Sequence, residues 1–359
     1  MQGQRDHLNR DHGDVEVGVA DLLQNRGGEG KHAAHLPEPP AWLVNWERRR
    51  PTLLVECVAE VVGVFMYVFA GVGASASFFV SSAAQQAGFG SLQTIGLCYA
   101  FGIAFAIIIA APVSGGHLSP SFTVCFVLFK GFPIRKAPWY ILSQLIGGFL
   151  ACLLVYGIYK EQLVEITAGM RLKYGAAADV AIFSPQGPAG IFGLFPGRTQ
   201  GNGYLFLNEF MGNIFLSILV FAVLDACNFF VALPSAPFVI GLGYFVVING
   251  FALDSVALNA AREIPGRMVC AMFYGGKCYT MYSSYTAIAA LTTFPVSLIG
   301  AGFQILFLSD SAKMIVNHPP ALAEEISVLN ESRGFPTIGR SITRETVFRD
   351  ANGMGSTKS

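Results

Sequence analysis

Two short stretches decide the fold: SGGHLSPSFT at residues 114–123 and NAARE at residues 259–263. Each opens a moderately apolar segment of about three helical turns, which is too short to cross a hydrocarbon core of about 30 Å. Ser119 and Asn259 belong to the residue types that cap helix N-termini, and Pro120 suits a first helical position. Both segments are therefore predicted to be half-helices that enter a membrane from a loop, where protein or a water-filled cavity must surround the backbone. The predicted half-helices are 119–129 and 259–272.

Longer apolar runs flank these two segments. A membrane-spanning helix needs about 20 predominantly apolar residues, and six runs reach or approach that length with at most two charges each. The predicted spans are 53–79, 94–113, 137–159, 204–224, 237–253 and 279–308.

The charges lie mostly outside these runs. Hydrophobic residues make up 53% of the chain and charged residues 13%, against about 25% in soluble domains. Of the 46 charged residues, 15 lie in residues 1–50 and 12 in 310–359. The sequence therefore predicts a channel domain at 52–309 between two disordered cytoplasmic tails, 1–51 and 310–359. A net charge of zero gives no indication of a nucleic-acid partner.

The two halves of the channel domain resemble each other. EVVG at 60–63 in the first span matches EFMG at 209–212 in the fourth, and a half-helix follows the second span of each half. With three spans per copy, the second copy must enter from the opposite side, so an inverted repeat is predicted. Repeat one takes about 52–160 and repeat two about 203–309.

Basic residues indicate the orientation. Arg48–Arg50 precede the first span, and Lys130, Arg135 and Lys136 lie between the second and third spans. The positive-inside rule then places both termini in the cytoplasm and the loop at about 160–202 outside. Four basic residues in that loop weaken the argument.

The two stretches resemble the signatures of the major intrinsic proteins, the aquaporins and aquaglyceroporins. The first is similar to SGxHLNPAxT, with Ser119 in place of Asn, and the second to NPARD or NPARS, with Ala260 in place of Pro. The resemblance covers about residues 52–309, and the long tails resemble fungal members. It implies an all-α membrane fold of six transmembrane helices and two half-helices, a homotetramer, and a place in the plasma membrane. It assigns the first pore motif to His117, Leu118, Ser119, Pro120 and Ser121, and the second to Asn259, Ala260, Ala261 and Arg262.

The physics of the motifs agrees with that resemblance. Two half-helices with facing N-termini place two positive dipole ends near mid-membrane, each equivalent to about half a charge. Free N–H groups there offer hydrogen bonds to a neutral solute and repel cations, and they break a proton wire. The alternative, that Ser119 and Asn259 only cap buried helix ends, does not explain their symmetric positions.

The selectivity constriction follows from the resemblance. Arg262 is costly inside a membrane and marks a pathway, and its family counterpart lines the outer constriction; a structural arginine at the interface is the alternative. Ungapped alignment adds Tyr99, Val247 and Val256, with Phe101 as a competing match for Tyr99. Water-selective relatives have His where Val247 stands, so a wider and less polar mouth is predicted.

The acids Glu60 and Glu209 are predicted to accept N–H groups of the re-entrant loops, and a proton relay is the alternative. The seven cysteines form no CxxC pair, so neither a disulfide framework nor a zinc site is predicted. Motifs of hydrolases and metalloproteases are absent from the spans, and no catalytic residue, metal or cofactor is predicted.

The predicted function is a passive channel in the bilayer for small uncharged solutes. Glycerol and similar polyols come first, and water, urea and hydrogen peroxide are further candidates. A water-selective channel and a proton-coupled secondary transporter remain as alternatives.

Overall fold

The computed structural model describes residues 40–86, 90–197, 201–225, 228, 230–252 and 255–309. The chain divides into two units, residues 1–308 and 309–359, and all described helices belong to the first. Within the described part the regular structure is entirely helical. The predicted tails lie outside it, except for 40–51 of the first.

The helices follow the predicted order, because the apolar runs are long and are separated by polar loops. They are α1 (Ala41–Arg49), α2 (Thr52–Ala83), α3 (Leu92–Ser114), α4 (Pro120–Phe129), α5 (Ala137–Tyr174), α6 (Ala178–Ile182), α7 (Asn202–Val223), α8 (Ala236–Phe251), α9 (Ala260–Tyr274), α10 (Lys277–Thr280), α11 (Ser283–Leu291) and α12 (Thr293–Phe303).

Six helical segments of the described residues are long and apolar enough to span a membrane. They are Thr52–Ala83, Leu92–Ser114, Ala137–Ile182, Asn202–Val223, Leu233–Phe251 and Ser283–Leu308. The half-helices α4 and α9 open at the two predicted motifs, directly after Ser119 and Asn259.

Two predicted boundaries were wrong. The helix of the third span continues to Tyr174, so the predicted outer loop at 160–202 begins inside a helix. The sixth span begins at Ser283, because Lys277–Thr280 forms a separate short helix. In the third span the helix extends beyond the apolar run, and in the sixth the apolar run begins before the helix, so hydrophobic length alone does not set the helix ends.

The helices pack as a pair of inverted halves. In repeat one α2 packs on α3 and α5, and in repeat two α7 packs on α8 and α12. The half-helices exchange partners: α4 packs on α12, the last span of the other half, and α9 packs on α5. Each half therefore completes the membrane-embedded core of the other.

One disulfide was not predicted. Cys270 on α9 is bonded to Cys278 on α10, eight residues later. The chain turns at Gly275, which has a φ of 88°, and this brings the two Cα atoms to 6.0 Å. A pair with this spacing has no sequence signature, whereas the other cysteines of the described residues are free.

Candidate functional site

The two half-helix N-termini meet through one amide. Asn259 Nδ2 donates to the Leu118 carbonyl oxygen at 2.9 Å, which joins the second re-entrant loop to the first. Asn259 Oδ1 accepts from Ala261 N at 2.9 Å and so caps α9. The amide has a second proton to donate, since an NH₂ group has two.

Ser119 lies at the N-cap position of α4, but its side chain does not cap the helix. Serine is a residue type that caps helices, but the Ser119 hydroxyl accepts no N–H of α4. The hydroxyl lies 3.0 Å from the hydroxyl of Ser121 instead. The two hydroxyls are two residues apart, and a short serine side chain reaches that neighbour in preference to the backbone.

Both re-entrant loops hold a leucine in the left-handed region just before the cap residue. Leu118 has a φ of 52° and Leu258 a φ of 59°. Non-glycine residues reach this region at a cost, so the surroundings must impose it. Gly63 and Gly212 leave space for the two leucine side chains. A Cβ added at Gly63 would lie 2.4 Å from Leu118 Cδ2, and one added at Gly212 would lie 3.0 Å from Leu258 Cδ2.

Glu60 supplies the acceptors of the first loop. Its carboxylate accepts from His117 N at 3.0 Å and Leu118 N at 2.8 Å. It also accepts from the Ser114 hydroxyl at 2.6 Å and from Gln144 Nε2 at 2.7 Å. All of its acceptor capacity is used by the loop and its supports, so it stabilises the loop.

Glu209 has the matching position in the second loop. Its carboxylate accepts from Ala257 N at 2.8 Å and from the Tyr285 hydroxyl at 3.0 Å. The segments EVVG and EFMG therefore serve the same two purposes in their two halves. In each, the glutamate accepts hydrogen bonds from the loop backbone, and the glycine leaves space for the loop leucine.

Residues of the second motif line two cavities, Asn259 one of them and Arg262 the other. The first, here called the central cavity, has a volume of about 40 Å³, and His117, Ser119 and Asn259 are among its lining residues. The second, the arginine cavity, has a volume of about 380 Å³, and Leu258 and Arg262 are among its lining residues.

Arg262 and Tyr99 come together in the arginine cavity. Arg262 Nε donates to the Tyr99 hydroxyl at 3.2 Å, while Nη1 and Nη2 donate to the carbonyl oxygens of Phe192 at 2.7 Å and Ile191 at 3.2 Å. The ring of Tyr99 fits against Gly71, where an added Cβ would lie 2.2 Å from it. The competing match Phe101 is 48% exposed on the outer face of α3.

Of the other two residues predicted at the constriction, Val256 lines the arginine cavity and Val247 does not. Val247 is 1% exposed and packs at Gly212, where an added Cβ would lie 3.1 Å from Val247 Cγ1. The neighbouring Ile248 lines the arginine cavity in its place.

The remaining motif residues have structural positions. Pro120 is the first residue of α4, and Ala260 and Ala261 begin α9, fully buried. The Ala261 carbonyl lies close to Gly148 of α5: a Cβ added at Gly148 would be 2.1 Å from the Ala261 carbonyl oxygen. His117 packs its ring against Phe126, Phe132 and Tyr140, with Nδ1 3.2 Å from the Thr123 hydroxyl.

Sequence reasoning missed two groups. The first is a pair of tyrosines, Tyr67 and Tyr244, that line the central cavity. The Tyr67 hydroxyl is buried and has no hydrogen-bond partner in the described part of the chain. Tyr67 lies seven residues after Glu60 on the same face of α2, and this helical spacing is a signal that the sequence does contain.

The second missed group supports the arginine. Glu263 accepts from Arg262 Nη1 at 3.3 Å and pairs with Arg267. Arg267 in turn donates to the carbonyl oxygens of Leu194 and Cys278, so it joins the loop before α7 to the disulfide-bonded segment. Among the described residues, no cluster of side chains fits a metal ion.

Comparisons with known proteins show the family and the fold. The sequence profile of the major intrinsic protein family matches residues 47–285. Aquaporin-3 of Laccaria bicolor is 40% identical over 276 residues, which cover 75% of this chain and 82% of the relative. The glycerol uptake facilitator protein of Pseudomonas aeruginosa is 31% identical over 61% of this chain and 75% of its own length. The crystal structure of the aquaglyceroporin from Plasmodium falciparum shares the fold, with a TM-score of 0.61 at 20% identity, over 71% of this chain and 97% of that one.

Proposed function

The chain belongs to the major intrinsic protein family, and from that premise we propose that its pore conducts glycerol and similar polyols in preference to water. It is an integral membrane protein and a passive channel for small uncharged solutes. The observation that supports the choice of solute is the lining of the arginine cavity. Arg262 and Tyr99, joined by a hydrogen bond, line the same cavity as Ile248 and Val256.

A polyol matches such a lining because it has hydroxyls along one side and carbon along the other. Arg262 donates to its oxygens, while the aliphatic side chains contact its carbons. The bonds from Arg262 to the carbonyls of Ile191 and Phe192 fix the position of the guanidinium, so its charge stays at the cavity and repels cations. Two of the similar proteins are named for glycerol, one in Pseudomonas aeruginosa and one in Plasmodium falciparum.

The proton-coupled alternative has less support. A coupled transporter needs an ionisable group that meets the pathway at mid-membrane. Neither Glu60 nor Glu209 is among the lining residues of the two cavities, and both accept hydrogen bonds from re-entrant loops.

The proposed topology places both termini in the cytoplasm and the protein in the plasma membrane as a homotetramer. The Cys270–Cys278 disulfide supports it, since disulfides persist in oxidising compartments and this one lies where the outer end of α9 is expected. At the proposed cytoplasmic end, Lys136 pairs with the buried Glu56 at 3.2 Å. The proposed domain limits keep the conducting unit within residues 52–309.

The test is stopped-flow swelling of proteoliposomes with glycerol and with water. Ile248→His narrows the arginine cavity and adds a polar group, so glycerol permeability should fall by about tenfold while water permeability falls less. Val247→Ala is the matched control on the neighbouring residue, and it should leave the ratio of the two permeabilities unchanged. A shift of that ratio by Val247→Ala and not by Ile248→His would contradict the assignment of Ile248 to the mouth.

A further inference from the structure

Four buried hydroxyls form a connected cluster behind the first half-helix. Ser121 Oγ accepts from the Thr293 hydroxyl at 3.0 Å and from the Ser297 hydroxyl at 3.2 Å. Thr293 and Ser297 lie one turn apart on α12, the helix of repeat two on which α4 packs. Ser121 Oγ also lies 3.0 Å from the hydroxyl of Ser119, a residue that lines the central cavity.

The bonds of Ser121 determine where its proton points. A serine hydroxyl has one proton to donate and two lone pairs that accept. The Thr293 hydroxyl also lies 3.5 Å from the Leu258 carbonyl oxygen, but Ser121 Oγ is nearer, at 3.0 Å, and takes its single proton. Thr293 and Ser297 then occupy both lone pairs of Ser121, so the proton of Ser121 is left for Ser119. Ser119 Oγ then accepts from Ser121, and its own proton is free to point into the central cavity.

The consequence is a fixed direction for a hydroxyl that would otherwise rotate. An isolated serine can turn its proton towards a solute or away from it, and can accept as readily as it donates. With Ser121 as its donor, Ser119 meets the solute as a donor beside the amide of Asn259. This restores at Ser119 part of the donor function that an asparagine amide would supply.

We infer that Thr293, Ser297 and Ser121 form a hydroxyl chain that orients the proton of Ser119 into the lumen. Ser119 is thereby a specificity-determining donor for polyol hydroxyls, and the other three are positioning residues. The inference rests on the proposed conduction of polyols. A polyol passing in single file presents oxygens at fixed spacing and needs both central donors, whereas a water molecule can rotate towards Asn259 alone.

The test compares single and double variants in proteoliposome swelling assays. Thr293→Val and Ser297→Ala each free a lone pair on Ser121, which lets the Ser119 proton turn away from the lumen. Each should lower glycerol permeability by about threefold, as expected for one hydrogen bond, with a smaller change for water. Thr293→Ser keeps the hydroxyl and should restore the flux. Ser217→Ala removes a buried hydroxyl that has no hydrogen-bond partner among the described residues, and it is the matched control, with no expected change in the permeability ratio.

A double variant separates orientation from packing. Ser119→Ala should lower glycerol permeability as Thr293→Val does, and the two together should lower it no further, because both act on one proton. Additive losses, or single variants that match Ser217→Ala, would overturn the inference. If the unmodified protein excludes glycerol, the proposed solute is wrong, and the same non-additive pattern must then appear in water permeability for the hydroxyl chain to stand.

Discussion

Glu60 and Glu209 each stabilise a re-entrant loop whose leucine lies in the left-handed region. A backbone of this kind inside a membrane needs acceptors for its N–H groups, because the hydrocarbon core offers none. Glu60 accepts two hydrogen bonds from the loop backbone and two more from the side chains of Ser114 and Gln144. The cost of a buried carboxylate is offset by four hydrogen bonds in one place.

Replacing Glu60 should therefore destabilise the protein. Glu60→Ala leaves buried donors unpaired, at about 1–3 kcal/mol for each, and should lower both yield and thermal stability in detergent. The matched control is Glu161→Ala on the exposed face of α5, which should change neither. Normal stability of Glu60→Ala together with an altered pH dependence of flux would favour a proton relay.

Arg262 should control what is excluded. Arg262→Ala removes a fixed charge at the arginine cavity, so ion leakage and the passage of larger polyols should rise in a protein that still folds. Arg171→Ala, which removes an exposed arginine outside the pore, is the control. Electrical recording and solute-exclusion assays on proteoliposomes measure the two effects, and unchanged selectivity of Arg262→Ala would assign Arg262 to structure.

For single residues, the sequence predicts site residues that belong to a motif. It does not predict residues that reach the cavity only because of the way their helix is rotated about its axis. Tyr99 and Arg262 were placed by counting from the motifs, and the structure brings them to 3.2 Å. The same count reached Val247, one residue from Ile248, and one residue on a helix is a rotation of about 100°. The partners Thr293 and Ser297 of Ser121 come from the other repeat, so no local pattern indicates them.

At the scale of helices, the decisive feature is the exchange of half-helices between the two repeats. Since α4 packs on α12 and α9 on α5, the positive ends of both half-helices are held at the centre by the opposite repeat. The lengths of the apolar runs predict how many membrane helices there are and in which order they come. They do not predict the residues at which those helices end. The charged extension of α5 to Tyr174 lies beyond any apolar run.

The disulfide between α9 and α10 gives an element-scale prediction. Cys270→Ser should lower the free energy of unfolding by about 2 kcal/mol, because the bond restricts the unfolded chain. Cys98→Ser, which removes a free thiol, is the control. On intact cells, an impermeant reductant should make Cys270 and Cys278 reactive towards an impermeant maleimide, and labelling that requires permeabilised cells would contradict the proposed orientation.

For the whole molecule, the inverted repeat explains why both halves are needed for one pore. The central cavity takes residues from both motifs, with Ser119 from repeat one and Asn259 from repeat two. Fold class and repeat symmetry could be predicted from the sequence, because two motifs, two acids and six spans recur in the same order. The shape of the cavities could not, since it depends on how far the helices approach at glycines such as Gly148.

The tails, which lie outside the described residues, give a whole-molecule prediction. All lining residues of the two cavities lie between Tyr67 and Arg262, so the conducting unit should not need residues 1–39 or 310–359. A chain lacking both segments should conduct glycerol at least as fast as the full chain, measured per inserted protein. Loss of flux with normal membrane insertion would make the tails part of the conducting unit.

A wide and largely aliphatic mouth beside Arg262 should select polyols over water. The most direct measurement is the ratio of glycerol to water permeability of the unmodified protein, by stopped-flow swelling of proteoliposomes at equal protein content. We expect clear glycerol flux that rises linearly with glycerol concentration and does not depend on pH, with a smaller permeability to water. High water permeability with glycerol excluded would contradict it, because a mouth lined by Ile248 and Val256 has no means of making that discrimination.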